Sequence, residues 1–197
     1  MKLKNSAGLC LASIIFSAQS AAAQHQGGDP VQGHLPAASA TTAPTSPYIG
    51  MDLRRVKALS DQQIADLSAG RGMSLALAAE LNGYPGPLHV LELADALDLS
   101  DQQRSRTKGL VEAMRAEAIP IGTAIVMEEA ALDRLFSERR VTGALLDAAV
   151  SRISAAQGAL RVAHLRYHLA MVDVLSPAQI ARYAHLRGYV ESGDGAQ

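Results

Sequence analysis

Leu59-Ser60-Asp61-Gln62-Gln63 recurs letter for letter at Leu99-Ser100-Asp101-Gln102-Gln103, and Leu175-Ser176-Pro177-Ala178-Gln179 is a close variant. Each copy has the letters of a capping box. The serine hydroxyl accepts from the backbone N–H three residues on, and the glutamine side chain reaches back to the serine N–H. Leu99, Ser100 and Gln103, and likewise Leu175, Ser176 and Gln179, are therefore expected to start helices. The leucine before the cap can staple onto the fourth helical residue, Leu59 onto Ile64 and Leu175 onto Ile180. Arg104 takes that place in the second copy, where the staple is lost. Pro177 falls on the first helical position, where its missing N–H costs nothing.

These starts predict an all-α chain, and the scarcity of aromatics (4%, with no tryptophan) leaves little for strands. A short helix is expected from Ser60 to Ala69, broken by Gly70 and Gly72, with one or two more turns from Met73 to Leu81. Asn82 to Pro87 reads as a loop and Leu88 to Leu97 as a helix. The longest helix is expected from Ser100 to Phe136. Its apolar positions keep three-to-four spacing, and Pro120 inside it predicts a kink. A second long helix, Thr142 to Val174, follows a charged turn, and a last one runs from Ser176 to Gly188. Two long helices joined by so few residues lie antiparallel. A long hairpin with shorter flanking helices leaves apolar surface for a partner subunit or a client.

The first residues read as an export signal. Lys2 and Lys4 precede an apolar stretch from Ala7 to Phe16, too short for a membrane span, and Ala21 to Ala23 offer a cleavage site before Gln24. The expected division is a signal at 1–23, a flexible tether at 24–57, a short helical extension at 58–83, the hairpin domain at 84–190 and a disordered tail at 191–197. Leu9 is too large for a lipid-attachment box around Cys10, the only cysteine, so the exported chain holds no thiol. Removing Lys2 and Lys4 from 18 basic residues leaves 16 against 19 acidic ones, a net charge of about −3 with histidines neutral. Nothing in that balance points to nucleic acid, and no second apolar run is long enough to cross a membrane.

The motif copies at 99–103 and 175–179, bracketing a helical hairpin behind a signal peptide, resemble the LTxxQ motif of the Spy/CpxP periplasmic chaperones. They also resemble that of the heavy-metal-resistance sensors of the CnrX and ZraP type. Serine stands here in place of threonine and keeps the capping hydroxyl. The likeness covers roughly residues 84 to 190. It implies a cradle-shaped dimer in the periplasm, holding unfolded clients without ATP or adapting an envelope-stress signal. For the sensor branch it implies a bound divalent metal. The family's cradle is basic, whereas this chain is slightly acidic.

His164 and His168, four apart on one helix, have the spacing of metal ligands. Folding the hairpin about residues 139–140 places Glu112 level with both, and His89 turns back toward the same end. His89, Glu112, His164 and His168 thus form a candidate nitrogen and oxygen site for a transition metal, with zinc first among zinc, nickel, cobalt and copper. The alternative is that these histidines cap, pack or face solvent. The chaperone reading requires no cofactor. The sequence has no G-x-S-x-G, no phosphate loop and no G-x-G-x-x-G, so no enzyme is expected.

Overall fold

A computed structural model describes residues 45–190. The expected signal, most of the tether and the expected tail lie outside the described residues. Six α-helices follow a 3-10 turn at Met51–Leu53: α1 Asp61–Ser68, α2 Leu77–Glu80, α3 Pro87–Glu92, α4 Asp101–Ser137, α5 Gly143–Val172 and α6 Pro177–Leu186. No strand occurs among the described residues; one isolated bridge pairs Val56 with Leu59. The fold is all-α, built on a pair of long packed helices.

All three capping boxes form. Ser60, Ser100 and Ser176 each accept from the backbone N–H of their glutamine at 3.2 Å, and each glutamine Oε1 accepts the serine N–H at 2.9–3.0 Å. Where the staple is absent, Arg104 turns back and donates to the Leu99 carbonyl and pairs with Asp95. Thr142 caps α5 through the Leu145 N–H. Helix ends are left-handed: Gly70 after α1, Arg139 after α4 and Gly188 after α6 have positive φ, and each next residue donates to a carbonyl five positions back.

α4 and α5 pack along each other as the hairpin, with α1 and α3 against α4 and α2 and α3 against α5. α4 is assigned as one helix through Pro120, which sits on its exposed side, where water can serve the carbonyl left unpaired. α3 is shorter than expected. After Glu92 the chain tightens into turns and reverses at Asp98, at positive φ, with the Leu99 N–H on the Ala94 carbonyl. The tightening turns Ala94, Leu97 and Leu99 into a core with Val90, Met171, Val174, Leu175 and Tyr183. A second core, Leu67, Ala118, Ile125 and Leu160, lies midway along the hairpin. Leu67 comes from the N-terminal extension, and Leu59 and Leu75 pack beside it. Val56, placed in the tether by sequence, is 2% exposed, and Lys57 pairs with Asp133. The chain is thus packed from Val56 onward.

Candidate functional site

The capping glutamines do more than cap. Gln103 Nε2 donates to Gln179 Oε1 at 2.8 Å and to the Val174 carbonyl at 2.9 Å. Gln179 Nε2 reciprocates toward Gln103 Oε1 and the Leu97 carbonyl, both at 3.1 Å. Each amide therefore closes its own helix start and clasps the other's. Gln63, in the extension, is exposed and makes the local box.

The four candidate metal ligands are not brought together. In the observed register Arg166 and Tyr167 reach Glu117 at 2.7 and 3.1 Å. Glu112 is more than a helical turn farther along α4 and exposed. His89 binds Glu92 at 2.9 Å. His164 and His168 are buried, at 2% and 8% exposure, as part of the face that α5 turns inward. No three histidine, cysteine, aspartate or glutamate side chains among the described residues are grouped to hold a metal.

The two histidines instead hold the extension. His168 Nδ1 meets the Tyr84 carbonyl at 2.7 Å and so carries the proton, and His164 lies against Gly72 of the extension. Burial lowers the His164 pKa below its ordinary value; His168, when charged, adds to this, and the nearby Arg71 backbone opposes it. His164 Nε2 is buried with no partner.

Beside His168 lies a polar cluster that the sequence does not announce. Glu80 is buried on the four-residue α2. Its carboxylate accepts the Tyr183 hydroxyl, the Tyr189 hydroxyl at 3.0 Å and the Gly86 N–H at 3.0 Å, with Arg187 at 3.9 Å. Burial, and then the Glu80 carboxylate, push the Tyr183 phenol well above its usual range. An arginine over the Tyr189 ring, Arg187 at 5.7 Å, completes the cluster. A cleft of about 650 Å³ opens against it, walled by Met73, Leu77, Leu88 and Met114, with Arg115 and His89 among its lining.

The hairpin also carries two apolar surfaces open to solvent. No residue from 126 to 148 is buried, although that distal stretch holds Met127, Leu132, Leu135, Phe136, Leu145 and Leu146; Met127 is 66% and Phe136 54% exposed. On α5, Ala155, Gly158, Val162, Leu165, Leu169 and Val172 follow alternating three-and-four spacing, with Ala148 seven residues before them. That seam lies opposite the face that carries Ala149, Ile153, Leu160, Ala163 and Met171 into the core. Glu128 near the distal stretch pairs with Arg152 at 2.8 Å. Comparisons with the profiles of known families, with curated proteins and with solved structures return no match to this chain.

Proposed function

We propose that this protein is an exported, periplasmic holder of unfolded proteins that works without ATP, in the manner its motif resemblance implies. One observation carries the reading: the distal hairpin presents large aliphatic and aromatic side chains to solvent on a rigid helical pair and buries none of them. Exposed apolar patches of this kind mark protein interaction sites. Unfolded chains offer the complementary apolar segments, and the pair's regular geometry presents many such contacts at once. The capping boxes and the Gln103–Gln179 clasp hold the pair together at the other end. The α5 seam is the proposed site of homodimer pairing, since heptad spacing on one helix face suits a second helix. An envelope-stress signalling partner would use the same exposed face.

The heavy-metal-sensor alternative finds less support, because its four residues are not grouped, His168 is committed to a backbone carbonyl and His89 to Glu92. The test is aggregation of chemically reduced lysozyme, without nucleotide. The chain is expected to suppress it near equimolar ratio, and Phe136→Ser with Leu145→Ser to remove most of that protection while leaving the melting temperature within about 2 °C, as for surface changes. Protection by the double variant equal to that of the parent chain would overturn the assignment of the surface. No protection by the parent against several unrelated clients would overturn the function.

A further inference from the structure

We propose that residues 56–76 form a detachable strap, tethered where Glu80 is anchored, that occupies the apolar groove between α4 and α5 and so withholds it from clients. The inference rests on the client-holding function and adds its regulation. The groove floor is Ala118, Ile125 and Leu160, and the strap's Leu67 completes that core.

α4 is built to receive the strap. Gly122 lies in mid-helix, where glycine weakens a helix. A Cβ there would collide with the Leu67 carbonyl, so the glycine exists to admit the strap's backbone. Gly70, at φ 65°, presses on the same helix, and a Cβ on it would stand 3.1 Å from Ile119.

The docked state also carries costs, all at one junction. Met73 and Ser74 are consecutive non-glycine residues in left-handed conformation, at φ 41° and 64°. Gly72 lies over His164, whose buried Nε2 has no partner. α1 has 8 residues, too few to stand without the hairpin beneath it. Apolar contact and the Lys57–Asp133 pair hold the strap down while backbone strain and an unpaired polar atom work to lift it. An element balanced this way has two states. Once lifted, the strap leaves an apolar groove beside the exposed distal hairpin, and an extended client segment takes the place Leu67 held.

Two variants of the full chain test this in a Cys10→Ser background. Gly122→Ala is expected to speed hydrogen exchange in residues 56–76 while α4 and α5 stay protected, and to raise suppression of reduced-lysozyme aggregation at least threefold. Gly70→Cys with Ala118→Cys joins strap to α4 after a shift of a few tenths of an ångström, since a Cβ on Gly70 stands 3.3 Å from that of Ala118. The cysteine at φ 65° itself loosens the strap, so the comparison is within the variant: the oxidised form is expected to suppress aggregation less than its own reduced form. Suppression by the parent with no gain on release and no loss on locking would overturn the strap alone. If neither the parent nor the released variant protects, the client-holding function falls with it. Should Gly122→Ala exchange rapidly throughout, the oxidised and reduced forms of the cysteine pair decide.

Discussion

A capping glutamine has one carbonyl and two N–H donors, and a capping box uses the carbonyl alone. In Gln103 and Gln179 the amide nitrogen spends those donors on each other's side chain and on a carbonyl ahead of the partner helix. Gln103→Ala or Gln179→Ala leaves part-buried acceptors unserved and is expected to cost about 1–3 kcal/mol. Gln63→Ala, losing a local exposed bond, is expected to cost about 1 kcal/mol or less. Urea unfolding of the two singles and the double should give strong coupling between 103 and 179; additive losses would count against the clasp. His164 supplies the pH dependence. Its folded-state pKa lies below the ordinary 6.5 because burial disfavours the charged ring. The unfolded chain therefore binds the proton more readily, and stability is full above about pH 6.5 and declines as pH falls below it. His164→Gln is expected to flatten the urea midpoint between about pH 6.5 and 5. An unchanged acid slope in that variant would assign the loss to other groups.

At the level of elements, the helix starts were legible because capping is local chemistry: serine, its glutamine and the leucine before them lie within one turn. Both long helices follow from apolar spacing and end within a residue or two of where the spacing stops. The candidate metal site was not legible, because it depended on the register of two helices folded across each other. Glu117, not Glu112, is the carboxylate that meets Arg166 and Tyr167. The inward role of His164 and His168 was hidden for a related reason, since a histidine on an apolar face reads as an intruder until the carbonyl it serves is known. Glu80 could not be found at all from its neighbours, as its partners Tyr183 and Tyr189 lie at the far end of the chain. The α5 seam carries its own prediction. Leu165→Asp with Leu169→Asp is expected to convert dimer to monomer in sedimentation velocity without loss of helix by circular dichroism, since neither side chain is in the core. A parent chain that sediments as a monomer at tens of micromolar would remove the seam's assigned role.

For the whole molecule, the distribution of contacts is uneven. One end of the hairpin is closed by the clasp, the Glu80 cluster and an apolar core, and the other end, touched by the Lys57–Asp133 pair, fully buries no residue from 126 to 148. Stability and adhesion are thereby placed at opposite ends, and changes at one are expected to leave the other intact. Ending the chain after Arg187 removes Tyr189 and one of the Glu80 donors, and is expected to lower the urea midpoint measurably while Phe136→Ser does not. Equal sensitivity at both ends would contradict this division. The closed end is also the one whose partners are farthest apart in sequence, with 76 positions between the two glutamines and 109 between Glu80 and Tyr189. A chain made from its N-terminus cannot complete that end until its final turn has emerged. The native state has a late keystone, and until it arrives the polypeptide remains threadable, a condition that the proposed export across a membrane would need.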